Sequence, residues 1–414
     1  MPTVYKAVNA IQSTPWQING AVLAVAEQLW EQGGTVAGLP RRHDLPLPPR
    51  PHGIPMDVPA ERLTLDQQED LKVWKAQASR VYAENASARS ERIALAQKLW
   101  VANRFKDEAA IYFPHSLDFR GRVYPMASYV NPQADDLGKA LLRFAEGKPL
   151  GQDGAFWLAV HLANLFGVDK VSFEERVSWV QENEERILLA AIDPLGEGTF
   201  WMEADSPFCA LAACFEWAGY KLKGDEWVSH LPIAMDGSCS GLQHFSAMLR
   251  DEVGGAAVNL VPADKPGDIY TAVGNCAQAL SDASGEELAE AWRGKVCRKI
   301  AKQPTMTMCY SVTQLGVQNQ IQAALRKLDA EKGEPYLGGV DNYQAATYMA
   351  RIVWDAIGQT VVAARQAMDW LKAVSKVAAE AGMPVRWTTP AGLPVAQEYR
   401  DIVGQQLNVH FGGQ

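Results

Sequence analysis

Two short stretches constrain this chain more than any other part of its sequence. In the first, residues 231–241, an apolar run ends in Asp236-Gly237-Ser-Cys-Ser-Gly. The second, residues 298–310, places two cations and an aromatic residue at spacings that suit one helix. A carboxylate able to hold a hard cation and a helix able to hold an anion are the minimum requirement for nucleotidyl transfer.

The first stretch predicts a metal-binding strand end. Its apolar residues favour a buried strand over 231–236, which would put Asp236 at the carboxyl end of that strand. The carboxylate, together with the carbonyl of Gly237, could coordinate Mg²⁺. The alternative is purely structural, because an aspartate at this point could cap the helix expected at 242–249.

The second stretch predicts a basic helical face. Arg298 and Lys302 are four residues apart and therefore share a face. Arg298 could bind a triphosphate through its planar fork and Lys302 as a mobile point charge, with Tyr310 against a base or ribose. Pro304 should kink this helix or mark its first turn. An ordinary amphipathic helix with a solvated basic face is the alternative.

Size and composition fit a globular protein of two to four subdomains. The chain has 414 residues, is 48% hydrophobic and 21% charged, and has a net charge of −9. No apolar run is long enough to span a membrane, and the N-terminus, Met-Pro-Thr-Val-Tyr-Lys, lacks an apolar signal region, so we expect a cytoplasmic protein without a membrane partner. The six cysteines, none in a C-x-x-C pair, are expected to be reduced core thiols.

Apolar periodicity predicts a mostly helical chain with a few short strands. A proline-rich stretch, residues 39–59, predicts an extended, hinge-like connector. Residues 61–110 predict a long helical pair. The predicted helical regions are 1–33, 61–110, 138–222 with breaks near 147–154 and 193–198, 242–249, 268–330 and 345–381, and the predicted strands lie in 111–125, 231–236 and 385–397.

Three further groups of basic residues are candidates for contacts with nucleic acid. On 61–110 they would form either a solvated face or an arm that grips a phosphate backbone. Arg120 and Arg122 flank a glycine and could hold sugar-phosphate or pair with Asp118. Lys170 could bind nucleic acid or form a helix-end pair with Asp169. The basic residues of 61–110 assigned to this face are Arg80, Arg89, Arg92, Lys98, Arg104 and Lys106.

Taken together, the motifs resemble those of the single-subunit, bacteriophage-type DNA-directed RNA polymerases, a family that includes mitochondrial and chloroplast enzymes. The resemblance is collinear along nearly the whole chain. The chain also lacks the G-x-x-x-x-G-K-[ST], G-x-S-x-G and H-E-x-x-H motifs of other enzyme classes. The matching segments are 5–12, 112–124, 146–149, 167–170, 205–209, 236–251, 268–270, 302–310 and 387–390.

The resemblance implies roles for individual residues. Asp236 matches the first catalytic aspartate, with the Gly237 carbonyl beside it on Mg²⁺. Lys302 matches the lysine on the triphosphate, Arg298 its helper, and Tyr310 the tyrosine that helps to favour a ribonucleotide. Tyr270 matches a nearby nucleotide-site tyrosine, and Arg122, Arg120 and Lys170 match residues that contact the nucleic acid.

The resemblance also implies a fold, a reaction and partners. The fold would be α+β and mostly helical, a right hand with a helical thumb, a small mixed palm sheet and helical fingers. Residues 1–44 would end an N-terminal domain, with 45–108 as thumb, 109–258 as palm and 259–414 as partial fingers. The reaction would be two-metal ribonucleotidyl transfer on a DNA template, with ribonucleoside triphosphates as substrates and RNA as product, in the cytoplasm of a phage-infected or prophage-bearing bacterium.

The sequence departs from the family pattern in ways that limit this expectation. Ser311 stands where the family has glycine. No His-Asp-Ser motif, which would carry the second catalytic aspartate, occurs in the 414 residues. We therefore expect that these residues alone make no RNA, that a second chain could carry the rest of the palm, and that the edge of strand 231–236 would be exposed. A catalytically inactive remnant, acting as a nucleic-acid-binding or complementation subunit, is the alternative.

Overall fold

The chain divides into two compact units, Met1–Ala234 and Met235–Gln414. The computed structural model describes residues 1–54 and 62–398. Each unit has its own apolar core. The end of the predicted connector, 55–59, and the last residues, 399–414, lie outside the described residues.

The first unit is mostly helical, with short strands between its helices. Its described helices are α1 (Pro2–Gln12), α2 (Gly20–Glu31), α3 (Leu65–Phe105), α4 (Asp136–Ala140), α5 (Gly151–Leu165), α6 (Phe173–Glu182), α7 (Glu184–Ile192) and α8 (Pro207–Lys223). Its described strands are β1 (Trp16–Ile18), β2 (His115–Leu117), β3 (Val123–Pro125), β4 (Leu142–Phe144), β5 (Lys148–Pro149) and β6 (Val228–Ser229).

The prediction of one helix over residues 1–33 is wrong, because β1 separates α1 from α2. Pro15 has no N–H to continue a helix. After it, β1 pairs antiparallel with β4, and Trp16 lies opposite Phe144 with ring centroids 4.5 Å apart. Asn19 then caps α2 by accepting a hydrogen bond from the Val22 N–H. Pairing with a distant strand therefore overrode the local helical pattern.

The predicted helical pair over 61–110 is a single helix, α3, of 41 residues. Thr64 and Gln67 start it with a reciprocal capping box, and no Gly or Pro follows to turn the chain back. Lys98 does not belong to the exposed basic face assigned to it. Its side chain is buried and its Nζ lies 2.5 Å from Asp135 Oδ1.

The described part of the proline-rich connector contains no helix or strand, and contacts fix it along α3. The buried Asn85 side chain accepts a hydrogen bond from the Leu45 N–H at 2.8 Å and donates one to the Leu45 carbonyl at 2.9 Å. Trp74 Nε1 donates to the Pro48 carbonyl at 2.9 Å. These contacts leave residues 45–48 little freedom to act as a hinge.

The segment 231–236 is not a strand, contrary to the prediction. Strand β6 ends at Ser229, pairs only with β5 among the described strands, and is followed by irregular chain through residue 237. An apolar run becomes a strand only when a partner completes its ladder of hydrogen bonds. The exposed strand edge expected there is therefore absent from the described structure.

The second unit packs long helices around a core centred on α11, α13, α14 and α15. Its largest fully buried side chain is Trp292. The described helices are α9 (Ser240–Leu249), α10 (Glu252–Ala257), α11 (Ile269–Ala283), α12 (Glu287–Trp292), α13 (Arg298–Met308), α14 (Gln314–Lys332), α15 (Asn342–Thr360) and α16 (Val362–Glu380), and the strands are β7 (Val385–Thr388) and β8 (Pro394–Gln397).

The α+β, mostly helical class is confirmed. The sheet is not a mixed one, because the described strands form four separate antiparallel pairs: β1 with β4, β2 with β3, β5 with β6 and β7 with β8. Among the described residues no helix combines the length and apolar character needed to cross a membrane. All six cysteines are free thiols, and only Cys214 is fully buried.

Candidate nucleotide-binding site

A tight turn in the second unit presents Asp236 to solvent. Its Oδ1 accepts a hydrogen bond from the Gly237 N–H at 2.8 Å, and the Gly237 carbonyl accepts one from the Cys239 N–H at 3.1 Å. Asn259 braces the turn by donating to Ser238 Oγ at 2.7 Å. Cys239 has φ +64° as it enters α9, and such strain in a non-glycine residue is found most often at functional sites.

The oxygen atoms of this turn fit a magnesium ion in part. Asp236 is exposed, and its Oδ2 accepts no hydrogen bond from the described residues. The Gly237 carbonyl supplies a second hard oxygen. Within 1–54 and 62–398 no group of three or more Asp, Glu, His or Cys side chains could surround a metal. One carboxylate and one carbonyl suit an ion that takes its other ligands from water and substrate phosphates.

Helix α13 carries the two cations on one face, as predicted. Arg298 is half-buried, and its Nε donates to Asp268 Oδ2 at 2.8 Å. Its guanidinium lies 5.1 Å from the centroid of the Tyr270 ring, within the range of a cation–π contact. Lys302 is exposed, and no carboxylate of the described residues pairs with it. Pro304 is buried in the middle of α13, so it does not mark the first turn.

Tyr270 connects α13 to the turn that holds Asp236. Its side chain is half-buried and lies close to the Cys239 side chain. Burial is the main cause that raises the pKa of Tyr270, and the neighbouring Cys239 raises it further. Tyr270 therefore stays a neutral phenol at physiological pH and can hold both Cys239 and Arg298 in place.

The carboxyl end of α13 lies close to the start of α9. A Cβ atom added to Gly241 would lie 2.9 Å from Cys309 Cβ and 3.9 Å from the Tyr310 hydroxyl. Glycine at 241 is thus what permits the close approach of the two helices. Tyr310 is 64% exposed, so its ring is free to contact a ligand beside the Asp236 turn.

Ser311 adopts the backbone conformation that a glycine would adopt most easily. Its φ is +61°. The Val312 N–H donates to the Thr307 carbonyl at 3.3 Å and the Ser311 N–H to the Met308 carbonyl at 3.1 Å. These two bonds define a Schellman motif, whose residue at the position of Ser311 is left-handed and usually glycine. The departure from the family pattern therefore carries a conformational cost.

Replacing Ser311 by glycine is expected to raise the free energy of unfolding by about 0.5–1 kcal/mol. Relief of the left-handed strain of an L-residue, roughly 1–2 kcal/mol, exceeds the extra chain entropy that glycine loses on folding. Denaturant titration measures the change. Ser311→Ala, which keeps the Cβ atom, is the matched control and should give no gain. A glycine variant no more stable than the parent would contradict the strain argument.

The three basic residues that the family resemblance assigns to contacts with nucleic acid lie in the first unit. Arg120 pairs with Asp118 Oδ2 at 2.8 Å and donates to the Tyr124 hydroxyl at 3.2 Å, across the turn between β2 and β3. Arg122 is an exposed residue of the same turn. Lys170 pairs with Asp169 at 2.6 Å. The internal ion pairs considered as alternatives are thus formed for Arg120 and Lys170, and contact with nucleic acid stays a prediction for all three residues.

Sequence reasoning missed Asp268 as a site residue. The structure shows it at the N-terminus of α11, where Oδ1 accepts hydrogen bonds from the backbone of Tyr270 and Thr271. Its other oxygen binds Arg298. An aspartate before a helix signals a cap, but nothing in the sequence indicates an ion pair with a residue 30 positions further on.

Comparison with known proteins places these residues in a family. The family model described as DNA-dependent RNA polymerase matches residues 148–412. T7 RNA polymerase of Escherichia phage T7 is 40% identical over 456 aligned residues, which cover 100% of this chain and 50% of that protein.

Other relatives extend the similarity to organelles. The DNA-directed RNA polymerase of Enterobacteria phage T3 is 41% identical, again over 100% of this chain and 50% of the relative. The mitochondrial DNA-directed RNA polymerase 1B of Nicotiana tabacum is 38% identical over 96% of this chain and 39% of its own length. The chain spans half the length or less of these relatives, and it belongs to the single-subunit, phage-type family of DNA-dependent RNA polymerases.

Proposed function

We propose that this chain carries the nucleotide-binding part of a DNA-directed RNA polymerase. The activity is ribonucleotidyl transfer from ribonucleoside triphosphates to RNA, directed by a DNA template. The observation that carries the proposal is the set of contacts in the second unit that connects the Asp236 turn, through Cys239 and Tyr270, to Arg298. It joins a candidate metal ligand to a candidate triphosphate ligand within one folded unit.

In this proposal, α13 binds the triphosphate. Lys302 is exposed and without a carboxylate partner among the described residues, so its ammonium group is available to the phosphates. Arg298 uses Nε for Asp268, and its terminal amino groups can donate to phosphate oxygens. Both cations would offset the negative charge that develops on pyrophosphate as the RNA 3′-hydroxyl oxygen bonds to the α-phosphorus.

Asp236 and the Gly237 carbonyl are the proposed magnesium ligands. When bound, the ion supplies positive charge at the triphosphate and lowers the pKa of the attacking hydroxyl. A two-metal site needs a further carboxylate, and no His-Asp-Ser motif among the 414 residues offers it. We propose that a palm segment bearing that carboxylate, on the same polypeptide or on a second chain, completes the site.

The remaining assignments follow the family resemblance and are proposals of the same kind. Tyr310, exposed beside Gly241, would contact the ribose of the incoming nucleotide. Residues 45–108 would form the thumb, 109–258 the palm and 259–414 the fingers. The turn that holds Arg120 and Arg122, and also Lys170, would contact the template–product hybrid. The protein would act in the cytoplasm of a phage-infected or prophage-bearing bacterium.

Nucleotide binding and primer extension together test the proposal. The 414-residue chain is expected to bind a ribonucleoside triphosphate more tightly in the presence of Mg²⁺ than in the presence of a chelator. Asp236 alone binds Mg²⁺ weakly, and the phosphate oxygens would supply further ligands to the ion. The chain is also expected to extend an RNA primer on a DNA template at no detectable rate, because the second carboxylate is missing. Calorimetric titration measures the affinity for nucleotide, and a gel-based assay measures primer extension.

The outcomes separate the alternatives. Primer extension by the 414-residue chain alone would establish polymerase activity and refute the expected inactivity. Binding of a template–primer hybrid without any binding of nucleotide would favour a nucleic-acid-binding remnant. Failure to bind both ligands by a folded chain would refute the proposed function.

A further inference from the structure

Asp268 performs two tasks with one carboxylate. Oδ1 caps α11 by accepting hydrogen bonds from the Tyr270 N–H at 3.1 Å and the Thr271 N–H at 3.4 Å. Oδ2 accepts from the Thr271 hydroxyl and from Arg298 Nε, both at 2.8 Å. Burial alone would raise the pKa of Asp268, but the hydrogen bonds from Thr271 and Arg298 outweigh it and lower the pKa. The carboxylate is therefore ionised at neutral pH.

The guanidinium of Arg298 is held on two sides by this arrangement. Asp268 binds Nε, and the guanidinium carbon lies over the Tyr270 ring, 5.1 Å from the ring centroid. The two terminal amino groups of Arg298 donate no hydrogen bond to the described residues. The two contacts thus restrain the guanidinium and leave its terminal amino groups available, and these are the donors with which arginine can bind phosphate bidentately.

We propose that Asp268 is a positioning residue for the triphosphate, acting only through Arg298. An unrestrained arginine side chain loses rotational freedom when it binds a ligand, and a side chain already held in place loses less. Asp268 removes this cost before the nucleotide arrives. The inference rests on the proposed function, because it assigns a supporting residue to the same triphosphate site.

The sign of the effect distinguishes positioning from plain electrostatics. A carboxylate near a triphosphate repels it, so neutralising Asp268 would by charge alone increase the affinity for nucleotide. Loss of the positioning contact decreases that affinity. A decrease on neutralisation is therefore a result that a charge effect cannot produce.

Asp268→Asn separates the two tasks, since asparagine caps helices as well as aspartate does but carries no charge. We expect this variant to bind Mg·ATP about fivefold more weakly than the parent chain. This loss is smaller than the tenfold or greater loss expected when a charge-assisted contact between arginine and phosphate is removed altogether. In an Arg298→Ala background the same substitution should change the affinity by less than about twofold, because no side chain is left to position. Calorimetric titration of the 414-residue chain measures all four affinities.

Asp341→Asn is the matched control. Asp341 caps α15 with the same geometry, accepting from the Tyr343 and Gln344 N–H groups at 3.1 and 3.0 Å, and has no cationic partner among the described residues. Its substitution should leave the affinity for Mg·ATP unchanged. Asp268→Ser provides a second variant if the asparagine variant folds poorly, because serine is also a good helix cap without charge. Thermal unfolding of each variant measures whether loss of the cap has lowered its stability.

The results separate this inference from the proposed function. A folded parent chain that does not bind Mg·ATP would refute both. If the parent binds and Lys302→Ala weakens binding, but Asp268→Asn strengthens it, leaves it unchanged or acts equally in the Arg298→Ala background, only the positioning role is refuted. A fivefold loss in the chain that retains Arg298, with no comparable loss in the Arg298→Ala background, establishes the positioning role.

Discussion

Lys302→Ala is expected to lower the affinity of the chain for Mg·ATP by roughly tenfold to a hundredfold. A hydrogen bond between an ammonium group and a phosphate oxygen contributes about 1.5–3 kcal/mol, which corresponds to this range. Lys302 is exposed and makes no ion pair with the described residues, so its removal should not disturb the fold. Calorimetric titration measures the loss, and higher salt should reduce the difference between the two proteins.

Lys299 on the same helix provides the control. It is exposed, and its Nζ pairs with Glu331 at 2.6 Å on α14, so it is already engaged outside the proposed site. Lys299→Ala should change the affinity for nucleotide by less than about twofold, since an exposed ion pair contributes little. Equal losses in the two variants would indicate a general charge effect and would count against a specific role for Lys302.

The stability of the chain is expected to fall by about 2–3 kcal/mol between pH 7 and pH 4.5 through His161 alone. This residue of α5 is 5% exposed, and burial lowers its pKa from 6.5 to about 4. Between these values the unfolded chain binds a proton that the folded chain does not, so the unfolded state is favoured as the pH falls. Above pH 6.5 the imidazole is neutral in both states and the effect disappears.

Denaturant titrations at the two pH values measure the His161 contribution. His161→Asn should lower the stability at pH 7, because it alters a packed site, but it should remove most of the dependence between pH 6.5 and pH 4.5. His244→Asn, at an exposed histidine of α9, should retain the full dependence. Parallel pH profiles for the parent and the His161 variant would contradict this assignment.

Long amphipathic helices could be predicted from the sequence because their pattern is local. The helical regions predicted over 268–330 and 345–381 contain α11 to α16 with only short interruptions. The hairpin of β7 and β8 was likewise predicted, since a Pro-Ala-Gly turn separates two short strand-forming runs. In these helical regions the apolar residues of the buried face recur every three to four positions, so the sequence pattern is sufficient to place the helices even though distant helices complete the core.

Predictions failed where the outcome depended on distant partners. Trp16–Ile18 is a strand because residues 142–144 pair with it, and 231–236 is not one because no described strand does. Lys98 fits an exposed basic stripe by spacing but is buried against Asp135. A spacing of residues on a helix shows which side chains share a face, but it does not show what packs on that face.

For the site, the sequence by itself determined the chemical groups: the carboxylate of Asp236, the cations of Arg298 and Lys302, and the aromatic rings of Tyr270 and Tyr310. Residue identity and motif order are sufficient for this, because they fix the available charges and hydrogen-bond donors. The tertiary structure alone decided that Asp268 binds Arg298 and that Cys239 contacts Tyr270. These contacts join residues about 30 positions apart, and only the packing of α9, α11 and α13 around a shared core brings them within bonding distance.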